Sequence, residues 1–413
     1  MSAGRFSGWW SRRARTAAAE VESTEVPAAA EPGTPPPAGL GRLLRYYLGL
    51  GTWGFGGPIA AVGYMQRDLV EQRGWVERDA FVDGVALGQM MPGPLAAQVT
   101  MWVGYLEAGP LGALATAAMF ILPSFVGVLT VAVLYARYEG LTVVQDLFYG
   151  IAPGVMAIIA IAAIKLARLT NRSDRRLWAL SIVLAAVTAA TGAEIAVLFV
   201  AAGFLMLLLD APPGWLRKST PPGAVVPLLA AHGPWIVAGG STGTAVALGL
   251  FFFKSGAFIF GSGLAIVPFL REGVVHQHHW LTERQFLDAV AMGLISPGPV
   301  VITATFIGYL VAGVIGAVIA TVAIFAPIYL GVVIPGRWFI RHRDKPQVRA
   351  FVKGATAAAA GAIAGATIVL TTGAVVDAKT AGIALTALLL LWRFKVKEPY
   401  IVLLAGIAGI ALH

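Results

Sequence analysis

Long apolar runs, separated by short polar or Gly/Pro-rich breaks, recur along this chain from residue 40 to its end. Leu111–Leu134, Leu147–Leu166 and Val352–Leu370 are representative. About 20 apolar residues cross a bilayer as a helix, whereas a membrane β-barrel shows short segments of alternating polarity. These runs are continuous and rich in Ala, Leu, Val, Ile and Gly, so they predict membrane helices. Six segments fall in the first half, near 41–63, 80–106, 110–136, 142–167, 177–191 and 193–209. Six more fall in the second, near 245–270, 285–310, 314–335, 350–370, 379–392 and 398–412.

The two sets are copies. At an offset of 205 residues, 55–94 aligns with 260–299 without a gap, and 15 of the 40 pairs are identical. Biased apolar composition alone would give roughly 4. Phe55-Gly56 matches Phe260-Gly261, Trp75 matches Trp280, Asp83 matches Asp288, and Pro92-Gly93-Pro94 matches Pro297-Gly298-Pro299. Beyond, the match resumes at offset 204: Gly104 pairs with Gly308, Gly109 with Gly313, Pro123 with Pro327 and Gly150 with Gly354. The expected organisation is a disordered tail (1–38), a first repeat (39–210), a linker (211–243) and a second repeat (244–413). Arg12, Arg13 and Arg15 precede no apolar core of signal-peptide type, so no cleaved signal is expected.

Composition agrees with a membrane class. Hydrophobic residues make up 58% and charged residues only 12%, with a mean hydropathy of +0.77; soluble domains carry about 25% charged residues. The net charge of +9 sits mostly in loops and at helix ends, which bears on orientation and not on nucleic acid. A basic loop follows the fourth segment of the first half (Arg168, Arg172, Arg175, Arg176). In the second half the basic loop precedes the fourth segment (Arg337, Arg341, Arg343, Lys345, Arg349). Because basic loops stay in the cytoplasm, the copies are expected to be inverted, the common plan of secondary transporters. Inversion requires an odd number of crossings per repeat step. Ala224–Gly240 is apolar enough to supply a seventh, for 12–13 segments in all; without it, some segment near a Gly/Pro break must be re-entrant. The N-terminus is expected in the cytoplasm and the chain in the plasma (inner) membrane. A homodimer stays open.

The breaks carry the candidate chemistry. Phe55-Gly56-Gly57-Pro58 interrupts the first segment and Phe260-Gly261-Ser262-Gly263 its copy; the two Pro-Gly-Pro runs interrupt the second segments. Two prolines around a glycine break a helix, and broken backbone inside a bilayer is tolerated where it is buried in protein or lines a wet cavity. The half-helix N-termini so exposed attract anions. Gln89, Gln98, Thr100, Ser296, Thr303 and Thr305 flank the runs and have hydrogen bonds to offer a ligand or a neighbouring helix. Lys254 lies inside an apolar segment, where a charge is a functional candidate or a lysine snorkelling to the interface. Asp83 and Asp288 each sit nine residues before a Pro-Gly-Pro, about 13 Å along a helix; they suit proton relay, a coupling cation or a helix cap. Arg67 and Arg271, read as loop residues, suit attraction of anions or pairing with carboxylates. His276, His278 and His279 lack a completing carboxylate or cysteine, so a solvated loop is expected and no metal.

With these motifs laid out, residues 40–412 resemble the chromate ion transporter family in its long, two-domain form. The resemblance rests on Gly54-Phe55-Gly56-Gly57-Pro58, on Gln89-Met90-Met91-Pro92-Gly93-Pro94, and on their second copies. It implies export of chromate from the bacterial cytoplasm and halves of opposed topology, with sulfate as a chemical analogue. Ser262-Gly263 replaces Gly57-Pro58, so two unequal half-sites are expected. The anion would lie between the halves, with Lys254 adding charge, and rocking of one half against the other would expose it to each side in turn. A sulfate or other anion transporter, or an anion channel, is the alternative reading. The absence of cysteine, of a nucleotide-phosphate motif and of a complete metal site argues against an enzyme, an ATP-driven pump or a cofactor.

Overall fold

A computed structural model describes residues 38–54, 57–138, 141–191, 196–212, 241–259, 263, 266–336 and 345–413. The tail, the proposed crossing at Ala224–Gly240, and Phe55, Gly56, Phe260, Gly261 and Ser262 lie outside the described residues, as does the side chain of Pro58. Among the described residues the structure is helical, with no strand. Four helices are long and apolar enough to cross a membrane: Leu95–Tyr138, Thr142–Asn171, Val300–Val333 and Pro346–Ala374.

The first two segments of each half turn back on themselves. Helix α1 (Leu40–Trp53) is followed by α2 (Gly57–Met65), which widens into a π-helical turn at Gln66–Gln72. Tyr46 of α1 donates to Asp68 beyond α2 (3.3 Å), so the two arms are antiparallel. Helix α3 (Arg78–Met90) leads into Pro92-Gly93-Pro94, and α4 (Leu95–Tyr138) begins directly after. Trp102 donates its indole N–H to the Ala80 carbonyl (2.9 Å), and a β-carbon on Gly88 would touch Leu95 and Gln98. A collinear broken helix would put Ala80 and Trp102 about 30 Å apart. Arms of 13 or 14 residues reach only about 20 Å, short of the ~30 Å hydrocarbon core. The second segment, read as one interrupted span, is therefore a hairpin tipped by Pro-Gly-Pro.

A third reversal follows inside α4. Ala108 and Gly109 leave helical geometry, with Gly109 at φ 62°, a left-handed angle suited to glycine. The limbs 95–107 and 110–138 then run antiparallel, in contact at Gly104 and Gly112, with Thr116 donating to the Thr100 carbonyl (3.0 Å). Helices α5 (Thr142–Asn171), α6 (Arg175–Thr191) and α7 (Ala196–Asp210) complete the half.

The second half repeats the plan. Helix α8 (Ser241–Ala257) pairs with α9 (Ile266–Arg271) and its π-helical turn at Glu272–Gln277. Helix α10 (Glu283–Ile295) pairs, across Pro297-Gly298-Pro299, with a short turn at Val300–Ile302 and α11 (Thr303–Val333). Gly313 reverses α11 at φ 61°, as Gly109 reverses α4. Helices α12 (Pro346–Ala374), α13 (Ala378–Arg393) and α14 (Glu398–Leu412) follow.

The halves interlock. Gly361 and Gly365 of α12 lie against Ser181 and Ala185 of α6, and Gly354 lies against Ala202 of α7. In exchange, Gly150 and Gly154 of α5 lie against Ala405 of α14. Small residues permit this close approach, the usual glue between membrane helices. Near the start of α5, Tyr149 donates to Asp377, just past the end of α12. The equivalent helices α5 and α12 therefore run in opposite directions. The outer surface is apolar, with Leu111, Ile182, Ile315 and Leu403 all exposed, as lipid contact requires.

Candidate functional site

Hairpin tips from both halves meet in the interior. The Gly93 N–H donates to the Ile259 carbonyl at the end of α8 (2.5 Å). A β-carbon on buried Gly263 would lie 3.8 Å from Pro94 and 3.6 Å from Val300, so this tip touches both Pro-Gly-Pro hairpins. Each Pro-Gly-Pro glycine also docks on the long helix of the other half. A β-carbon on Gly93 would meet Ile328 of α11 (2.8 Å), and one on Gly298 would meet Ser124 of α4 (2.2 Å). Ser124 and Ile328 are equivalent positions, each directly after a helix proline. Ser124 also donates to the Pro297 carbonyl (3.0 Å).

Two helical starts point into this junction. The first N–H groups of α4 beyond Pro94, and of the turn beyond Pro299, have no acceptor within their own helices. Such groups and the positive dipole end suit an anion. Gly93 is buried at φ 142°, a backbone angle suited to glycine. The tip loop is held by Gln98, fully buried, whose amide donates to the carbonyls of Met91 (3.1 Å) and Pro92 (3.0 Å). Its Oε1 is buried and accepts no hydrogen bond from the described residues.

The remaining candidates divide. Ser296 and Thr303 are beside the tip, but their hydroxyls donate to the Gly293 (3.0 Å) and Val300 (2.8 Å) carbonyls of their own turns. The Thr100 hydroxyl donates to the Met65 sulfur at the end of α2 (3.8 Å), and Thr305 faces the second limb of α11, where it and Thr321 share a 2.7 Å hydrogen bond. Gln89 is exposed. Lys254 is exposed in the last turn of α8, with its ammonium 5.9 Å from the Phe269 ring centre in the facing arm of its hairpin. Asp288 is 1% exposed and accepts from the Tyr135 hydroxyl (2.8 Å), a bond across the halves; Asp83 is half-buried.

Neither arginine lies in a loop. Arg271 ends α9 and forms a two-pronged pair with Glu283, the first residue of α10. Arg67 lies in the π-helical turn and pairs with Asp68 (2.8 Å). His278 stacks on Trp280 with ring centres 4.2 Å apart, and burial lowers its pKa. Among the described residues no group of three metal-ligating side chains gathers. The cross-half contacts had no local sequence signal; the duplicated prolines at 123 and 327 were the nearest hint.

An all-helical membrane body made of two copies, whose broken hairpins meet at its centre, is the architecture of a membrane transport protein. The chain belongs to the chromate transporter family: the family's model matches residues 41–208 and 246–410, one region per repeat. A chromate transport protein of Cupriavidus metallidurans is 47% identical over 396 residues, covering 94% of this chain and 97% of the relative. A probable chromate transport protein of Synechococcus elongatus is 46% identical, covering 91% and 96%. A chromate transport protein of Pseudomonas aeruginosa is 30% identical, covering 91% and 93%. These relatives are named as transport proteins, and this chain is a multi-pass transporter of their family, not an enzyme. No solved structure matches the chain significantly.

Proposed function

We propose that this chain exports chromate, a tetrahedral dianion, from the cytoplasm by secondary transport. The observation that carries the reading is the meeting of Gly93 with Ile259, and of Gly263 with Pro94 and Val300, in a family whose relatives are named for chromate transport. The anion sits at this junction, held by the backbone N–H groups that open α4 and the turn at Val300. Gln98 holds the loop in shape and does not ligate. Lys254 adds long-range charge.

The repeats, 39–210 and 244–413, are inverted in the plasma membrane, with the 172–176 and 345–349 basic segments in the cytoplasm. Interlocking of α5 with α13 and α14, and of α12 with α6 and α7, disfavours rocking of one sequence half against the other. The moving body is instead the core of four hairpins and two long helices, α4 and α11, which shifts against the scaffold of α5–α7 and α12–α14. An inside-negative potential supplies about 2.3 kcal/mol per charge per 100 mV. For a dianion that amounts to roughly a 2000-fold gradient at 100 mV, so uniport suffices. Asp83 and Asp288 are the residues through which a proton or cation would couple.

Flux from liposomes loaded with chromate, with an imposed potential and sulfate as competitor, tests the reading. Saturable, potential-driven chromate efflux is expected. Sulfate flux without chromate flux would make sulfate the cargo, and conduction without saturation would make the protein a channel.

A further inference from the structure

The arms of the first hairpin border an open cleft of about 650 Å³, lined by Arg42, Arg45, Arg67 and Arg73 with one carboxylate, Asp68. Arg42 and Arg45 lie one turn apart on α1, both exposed. The guanidinium of Arg73 lies over the rings of Trp75 (4.6 Å) and Tyr46 (5.3 Å), while Asp68 holds Arg67. A cleft lined by one sign of charge focuses the field and speeds capture of the opposite charge by about 10- to 1000-fold. Guanidinium forks match the oxygen edges of tetrahedral oxyanions.

The second repeat has lost this feature position by position. At offset 205, Arg42, Arg45, Arg67 and Arg73 become Ala247, Leu250, Glu272 and His278. Phe251, which replaces Tyr46, stacks on Phe269 and packs against Gly273, the counterpart of Asp68. One hairpin is thus open and basic and its copy is filled by aromatic rings. They also open on opposite faces. The Gly39 N–H donates to Glu107 and Tyr329 to the Pro110 carbonyl, so the mouth of the first hairpin lies beside residues 107–110 and the C-terminal part of α11. From there α4 crosses away and α5 returns to the basic segment at 172–176. The second hairpin, at the opposite end of α11, opens on the other face.

We infer that the arginine cleft of α1 and α2 is a second oxyanion site, a cytoplasmic vestibule that collects the dianion before it reaches the tips, with no counterpart among the described residues of the second hairpin. This rests on the transport reading above and adds to it faster capture of the anion from one face, while the membrane potential still sets the direction of net flow. Phosphate headgroups of anionic lipids share the chemistry, so the test must separate them.

The full chain is reconstituted in phosphatidylcholine nanodiscs for equilibrium binding of radiolabelled sulfate and chromate, and in liposomes for flux. For the double variant Arg42→Gln/Arg45→Gln, a several-fold weaker binding constant is expected, with KM raised far more than kcat is lowered and a shallower salt dependence. Arg42→Lys/Arg45→Lys should recover most of the salt dependence, which separates lost charge from misfolding. Unchanged binding and KM in the Gln variant would overturn the vestibule. So would loss of co-purified phosphatidylglycerol with oxyanion binding intact, which would assign the cleft to lipid. If wild-type liposomes carry no chromate or sulfate flux, the transport reading fails, while the binding arm still decides the cleft.

Discussion

At the residue scale, Gly93 shows how a motif becomes a constraint. Its φ of 142° and the neighbours of an added β-carbon, Gln98 Nε2 and Ile328 Cγ2 both at 2.8 Å, each oppose any side chain. Gly93→Ala should cost about 1–3 kcal/mol in backbone strain alone and pull the tip off Ile259. Thermal unfolding in detergent should show a lowered midpoint, and liposome flux should fall by at least an order of magnitude; wild-type values in both would remove Gly93 from the site. The importance of this glycine was legible from its duplication at Gly298. The role of Gln98 was not. A glutamine beside a break reads as a ligand, yet here both amide protons serve carbonyls that the hairpin brings back to it. Likewise Asp288 was legible as a copy of Asp83, but its partner Tyr135 lies 153 residues away in chain order.

At the scale of elements, the apolar runs marked the helices well. The third to sixth segments of both halves match the observed helices to within a few residues. The first two segments were legible as broken, and a re-entrant segment near a Gly/Pro break was one way to satisfy the crossing count; which segments fold back was not legible, because periodicity records burial and not direction. Close packing onto the long helices fixes the hairpins in place. A β-carbon on Gly51 would lie 2.3 Å from the Phe120 carbonyl oxygen, and one on Gly256 would lie 2.1 Å from that of Ile324. The two contacts are equivalent. Gly51→Val and Gly256→Val should therefore each displace a hairpin, at about 1–3 kcal/mol for overpacking. The same substitution at Gly49, which has open space around it, should be nearly silent. Melting temperatures of the three variants check this; equal effects would mean that helix propensity and not the contact decides.

At the scale of the whole molecule, the duplicated sequence does not correspond to two separate bodies. Each α5 or α12 is gripped by the last helices of the other half, so neither repeat buries its small-residue faces alone. The antiparallel run of α5 and α12 places the 172–176 segment and the start of α12 at one end. The chain has no cysteine, which leaves a clean background for labelling. In right-side-out spheroplasts, a membrane-impermeant maleimide should reach Val376→Cys directly, and reach Ser173→Cys and Lys345→Cys only after permeabilisation. All three side chains are exposed. Labelling of Ser173→Cys and Lys345→Cys from opposite faces would overturn the inverted arrangement.

The sequence by itself determined the membrane class, the two copies and the positions of the breaks. Apolar run length, internal identity and proline chemistry are local properties that survive without a fold. Only the tertiary structure decided that the broken segments are hairpins, that Gly93 meets Ile259 and Ile328 while Gly298 meets Ser124, and that four arginines share one cleft whose copy is filled. Each of these depends on chain reversal and on contacts between residues far apart in sequence. The free energy of such contacts comes from packing that no single segment contains.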